Sequence, residues 1–486
     1  MSVEALQGTT ESFDPFFAAV RPHPGQMESA RNINSFLVGS RLTAIKDGSE
    51  GTLRQDRYSI RTASQWLGPC LEDLSLAHQQ ITIESNSVTD NPLCDTNGNF
   101  LHGGNFQAKA VTSAMEKTRL CLQSLGQMLF TQCTELINPA TNRGLPSNLV
   151  ADEPGESFIF KAVDLMAAAL QSELGFLSNP VGTYVQPAEM GNQALNSLAL
   201  ISARYTHTAV DVLSQLAAGH LMALCQALDL RAIHTRFLDD FQHAFQMCLQ
   251  DSFCLLIDKA NLASLAEILW KKFDKFFSQN MMMDSKRRIQ AAVDVLQITI
   301  MDTIPTEALS IKVLKSWGAN CTAAAHLSYA TSRETYIAHP DTTHLLGRAA
   351  KKMYIFVRHD LGVPFLLTKM LLDAETQSAM YFSLSAANSS VSGCPHETAP
   401  FVNGETQQGP LASKHKLDDA EDQGSNKRIS TRSCRDPYGS NDTVGSLIGK
   451  IHCAIRNGRL LAPLMACLQE SPEEALSLDQ NSKDVC

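Results

Sequence analysis

From Asn192 to Leu230 the chain runs without a proline and with a single glycine, Gly219. A helix over that run would be on the order of 60 Å long at 1.5 Å per residue. Its apolar residues are Leu195, Leu198, Ile201, Tyr205, Val210, Leu213, Leu216, Leu221, Leu224 and Leu228, and they wrap most of the helical circumference. A helix apolar on most sides must be buried inside a bundle or between subunits. Few folds offer that, so the run points to a long central helical bundle.

The rest of the chain agrees. Between Gln107 and Leu136, Val111, Met115, Leu122, Leu125, Leu129, Cys133 and Leu136 recur every three or four positions, and Asn138-Pro139 stops the pattern. Alternating strand patterns are nearly absent, so the class is all-α. Residues 1–232 read as a helical core and 233–382 as additional helices, including Asn261 to Phe277. Residues 383–442 are rich in Ser, Asn, Gly and Pro and are expected to be disordered. A closing helix is expected over 443–469, followed by a flexible tail over 470–486.

Charge narrows the function classes. A net charge of −10 argues against nucleic-acid or anionic-membrane partners. No window reaches the ~18 uninterrupted apolar residues of a membrane span, and no secretory signal is expected. The 13 cysteines are scattered, without a Cys-x-x-Cys pair, as expected in a reducing cytosol. The 14 histidines show no metal-ligand spacing, so no metal is expected.

The segment from Gln55 to Pro69 carries chemistry. Tyr58 and Arg61 stand three residues apart, so one helical turn can aim both at one place. Arg presents a planar fork that grips a carboxylate bidentately. Tyr takes up or delivers a proton when its surroundings lower its pKa from about 10. Together they suit clamping an amino acid and moving a proton on it. The same pair also serves elsewhere as a purely structural contact.

Further motifs accompany it: Thr89-Asp90-Asn91-Pro92-Leu93, His102-Gly103-Gly104-Asn105-Phe106-Gln107, Asn142-Arg143-Gly144-Leu145-Pro146 and Ala188-Glu189-Met190-Gly191-Asn192-Gln193. In this order and spacing the chain resembles the aromatic amino acid ammonia-lyases, the fungal phenylalanine ammonia-lyases in particular. The resemblance is dense to about Ala232 and returns in Val357-Arg358-His359-Asp360 and Ile455-Arg456-Asn457-Gly458.

The resemblance implies a homotetramer of packed central helices, additional shielding-type helices, and an aromatic amino acid substrate such as L-phenylalanine, released as trans-cinnamate and ammonia. It places Arg61 on the substrate carboxylate, Tyr58 against the reacting centre and Gln55 in the pocket. Asn91 supports the carboxylate and the electrophile's surroundings, and Phe106 packs near the prosthetic ring. Glu189 and Asn192 approach the substrate amine and the ring oxygen, with Gln193 beside them, and Lys161 matches a pocket lysine. Each also has a plainer reading: Asn91-Pro92 as a turn, Lys161 and Glu189 as a surface pair. Met190-Gly191 stands where the family commonly has a bulky or polar pair, which leaves substrate preference open.

Enzymes of this family build a methylidene-imidazolone electrophile from an internal Ala-Ser-Gly. None occurs in these 486 residues, and the only Ser-Gly is Ser392-Gly393 after Val391. The expectation is a chain lacking the family's front portion, with no bound cofactor and inactive alone. Its partner is then either further copies or a full-length lyase in a mixed oligomer. The alternatives are a catalytically silent structural subunit, a tyrosine ammonia-lyase or an aminomutase.

Overall fold

The computed structural model describes residues 1–44, 55–304, 309–368, 370 and 443–469. The expected polar insert over 383–442 and the tail over 470–486 lie outside the described residues.

Fourteen helices are described: α1 (Ser2–Ala5), α2 (Pro15–Ala19), α3 (Pro24–Leu37), α4 (Tyr58–Arg61), α5 (Ala63–Ser85), α6 (Lys109–Ile137), α7 (Lys161–Leu177), α8 (Ala199–Phe253), α9 (Lys259–Gln279), α10 (Ser285–Thr303), α11 (Ile311–Ala338), α12 (Arg348–Ile355), α13 (Val444–Arg456) and α14 (Leu461–Gln469). The described strands are β1 (Leu93–Cys94) and β2 (Phe100–Leu101), paired antiparallel. The class is all-α.

α8 organises everything else. It spans 55 residues, about 80 Å, and changes character along its length. In its first third only Ser202, Thr206, Ala209, Val212 and Leu216 are buried, one stripe at helical spacing. From Ala218 to Ile233 every residue is buried, including His220, Asp229 and Arg231. Past that, Phe237, Phe241, Phe245, Leu249 and Phe253 recur every fourth position on one buried face. The long run therefore begins at Ala199, seven residues after Asn192, because Leu198 takes a left-handed φ of 50°. It then continues unbroken past Leu230 and across residue 232. Its length and an apolar window qualify it as a candidate membrane span, but 61% of that window is buried inside the molecule, as a core helix requires.

α6 and α7 pack against α8, α5 packs on α6, and α3 lies on α5. Gly25 and Gly68 are needed where α3 meets α5. A Cβ on Gly25 would stand 2.2 Å from the Gly68 carbonyl oxygen, so only two glycines permit that backbone approach. α9, α10 and α11 form a second layer over the phenylalanine face of α8, closed by Phe273, Phe277 and Trp317. Asp258 starts α9 by accepting from the backbone N–H of Ala260 and Asn261 at 3.0 Å. The closing helix expected over 443–469 is two helices, α13 and α14, parted at Asn457-Gly458 where Gly458 adopts φ 72°.

Candidate active site

α4 is a single turn whose two faces do different work. Ser59 and Ile60 are buried, while Tyr58 is 68% exposed. The Ser59 hydroxyl donates to Glu135 on α6 at 2.5 Å, and the Gln132 side-chain amide donates to the Ser59 carbonyl at 2.8 Å. Burial pushes the Glu135 carboxyl above its ordinary range, against the opposing bond from Ser59. Just before α4, Asp56 is buried. It accepts from Arg143 at 2.6 Å and from the Thr9 backbone N–H at 2.8 Å. Arg143 is fixed in turn, since Arg231 of α8 donates to its carbonyl at 2.9 Å and to that of Asn142 at 2.6 Å.

The outward face carries the expected chemistry. The Arg61 guanidinium lies over the Tyr58 ring, 4.9 Å from its centroid. Among the described residues the Arg61 side chain has no hydrogen bond or ion pair, so its N–H fork is open to a ligand while its face rests on the ring. Gln55 is exposed on the approach to α4. The crevice behind this segment, between Asp56, Glu135 and Arg143, has a volume of about 10 Å³, room for one water and far too little for an amino acid.

The other candidates lie on open loops. Asn91 is exposed, joined to Pro92 by a cis peptide bond. Its loop closes through Asn105, whose N–H donates to the Asp90 carbonyl at 3.0 Å and whose side chain donates to Val88 at 3.0 Å. Phe106 is 58% exposed, its ring against Gly104. Glu189 and Asn192 meet directly, the Asn192 amide donating to the carboxylate at 2.9 Å. Their turn is held by paired bonds between Ala188 and Gln193, with Glu189, Met190 and Gly191 at φ 47°, 52° and 87°. Glu189 and Met190 are strained at these angles, and Gly191 is not. Lys161 is exposed at the start of α7, 5.8 Å from the Phe158 ring centroid, and forms no ion pair with Glu189. Gln107 donates to the Leu195 carbonyl at 3.3 Å, tying the Phe106 loop to the segment after Asn192.

Two pairs are therefore brought into contact, Tyr58 with Arg61 and Glu189 with Asn192. Residues the resemblance sets around the electrophile, Asn91, Phe106 and Asn192, have suitable amide and aromatic groups. Because all three are exposed, this chain by itself does not form a closed cradle for such a ring. The positioning residues Ser59, Gln132, Glu135 and Asp56 escaped the sequence reading. Ser59 and Glu135 lie 76 positions apart, and nothing in either local pattern signals the contact.

A long helical bundle thus holds the Tyr58–Arg61 turn on its flank. Residues 1–247 match the aromatic amino acid lyase family, and the chain belongs to it. It is 45% identical over 374 residues to a phenylalanine ammonia-lyase of Aspergillus hancockii, covering 75% of this chain and 53% of that protein. It is 43% identical over 369 residues to a phenylalanine aminomutase of Talaromyces islandicus, covering 75% and 52%. Two crystal structures of the Rhodosporidium toruloides phenylalanine ammonia-lyase superpose at TM-scores of 0.79 and 0.77 with 36% identity, covering 96% of this chain and 62% of that one. The chain thus spans about half the length of these curated relatives.

Proposed function

We propose that the chain supplies half of a phenylalanine ammonia-lyase-type site, acting in a reaction that converts L-phenylalanine to trans-cinnamate and ammonia. The observation that carries this is the outward-facing pair on α4: an exposed phenol beneath a guanidinium with an open fork, on a turn whose other face is locked to α6. Arg61 binds the substrate carboxylate, and Tyr58, its own phenolic proton first passed to solvent, receives the proton from the carbon next to the one bearing the amine. That proton is very weakly acidic, so phenol and guanidinium do not suffice, and the Ala-Ser-Gly needed for the family's electrophile is absent from the 486 residues. The electrophile is assigned to sequence outside these 486 residues, and the surface that carries it completes the loops of Asn91, Phe106, Lys161 and Glu189. The aminomutase among the relatives, together with exposed Met190-Gly191, favours a second reading on the same half-site: a different amino acid or a returned amine.

The test is complementation. The purified chain alone is expected to release no cinnamate from L-phenylalanine. Mixed with a full-length lyase inactivated at its own tyrosine and arginine of this motif, it restores turnover, and Arg61→Ala abolishes the restoration. A mixed oligomer without turnover would overturn the reading and leave a structural subunit.

A further inference from the structure

Away from α4, the last third of α8 and the facing side of α9 enclose a groove of about 700 Å³, within the range of small-ligand sites. We infer that it binds a planar aromatic carboxylate at a site separate from α4. Its floor is aromatic: Phe245 is buried, and the half-buried Trp270 ring lies 5.5 Å from it, tilted by 49°. That leaves an indole face and edge for a flat ring to lie against. One wall presents Gln242, Gln246 and Gln250, three exposed amides at successive turns of α8. The other wall is α9, with Lys259 and Lys271, both exposed and neither in an ion pair among the described residues. Glu267 lies one turn before Lys271 on the same wall, so the groove carries two cations and one anion.

An excess of one positive charge over an aromatic floor suits a monoanion with one ring. It is a local exception in a chain of net charge −10, where an unpaired lysine pair would otherwise find carboxylate partners readily. Lysine and amide donors suit a carboxylate, and the aromatic floor suits a flat ring. The choice of trans-cinnamate as probe rests on the proposed reaction, which releases a molecule of this class; the site itself does not.

Cys254 lines the groove and is a free, exposed thiol, which gives a local reporter. The experiment uses the full chain and follows iodoacetamide alkylation of Cys254 by peptide mapping, with exposed Cys453 as the control. Saturating trans-cinnamate is expected to slow alkylation of Cys254 and leave Cys453 unchanged. Cinnamamide, with the same shape and no charge, requires about tenfold more for the same protection, the cost of one charge-assisted contact. K259M/K271M, both surface changes that leave the fold intact by circular dichroism, raises the cinnamate requirement by about tenfold as well. Equal protection by cinnamamide, insensitivity to the lysine changes, or protection that follows chain concentration in place of cinnamate would each overturn the inference. Cinnamate protection without lyase complementation would sink the proposed reaction alone. Complementation without protection would sink this site alone.

Discussion

Arg143 holds the buried carboxylate of Asp56 at 2.6 Å, and this contact fixes where α4 begins. Asp56 is adjacent to Gln55 and two residues from Tyr58, so its pairing sets the register of the Tyr58–Arg61 turn. Arg143 is itself anchored to α8 through Arg231, so the central helix governs the half-site across two contacts.

Arg143→Ala leaves the Asp56 carboxylate buried with only its Thr9 contacts. The expected cost is about 3 kcal/mol, because breaking a buried pair from one side strands a charge. Urea denaturation reads the loss. Hydrogen exchange reads its location, with backbone amides of 55–61 exchanging faster than those of α6. Uniform acceleration across both would show that the contact is generic to the fold and does not position α4.

Asp229 on α8 carries a second buried network. It accepts from Tyr336 at 2.6 Å, from Thr342 at 3.1 Å and from Tyr354, and it pairs with Arg358. Asp229→Asn leaves Arg358 buried without its counter-charge and is expected to cost about 3–5 kcal/mol. Arg358→Met added to it should recover part of that loss, since both charges are then gone. Stability of the double variant at or below that of Asp229→Asn would disprove the pairing argument.

Acid should weaken the protein before carboxylate titration begins. His220 is 3% exposed, and burial pushes its pKa down to about 3. His234 is also pushed down to about 3 by burial and by neighbouring Arg231 and Arg288, but it borders water-accessible cavities and contributes less. Below an unfolded value of about 6.5 the unfolded chain binds a proton at each position that the folded chain does not. Stability is therefore complete above pH ~6.5 and falls as pH drops towards 3, by about 1.4 kcal/mol per pH unit for His220. His220→Gln should flatten the slope of denaturation midpoint against pH in that window. An unchanged slope would show that the histidine is not held neutral.

Much of the architecture was legible because periodicity reports burial directly. The Gln107–Leu136 stripe became α6 almost to the residue, and from Ala199 onward the run to Leu230 lies within α8. The start of α8 was not legible, since the left-handed Leu198 has no local sequence signal. Tyr58 and Arg61 could be singled out because they are three residues apart on one turn. The groups that aim them could not, because Ser59–Glu135 and Asp56–Arg143 join positions 76 and 87 apart through packing alone. The plainer reading of Lys161 and Glu189 as a surface pair fails for the same reason: chain distance does not say which loops meet.

The front of the bundle should be a subunit interface. Leu195 is 82% exposed, Leu200 71%, Tyr205 43%, and the Met190 side chain is wholly uncovered. These lie on or just before the first third of α8, where one narrow stripe is buried, and exposed apolar surface of that extent marks a contact face. Because Gln107 bonds to the Leu195 carbonyl, covering this face would also fix the Phe106 loop and enclose part of the half-site. Light scattering of the purified chain is expected to report an oligomer. Leu200→Lys with Tyr205→Lys should shift it to monomer, since each buried apolar side chain contributes about 1.5–3 kcal/mol at a contact. Both positions are exposed, so the helix content should be unchanged by circular dichroism. A parent chain that is monomeric at micromolar concentration, or a double variant with unaltered mass, would remove this face from the assembly and with it the route by which a second polypeptide completes the site.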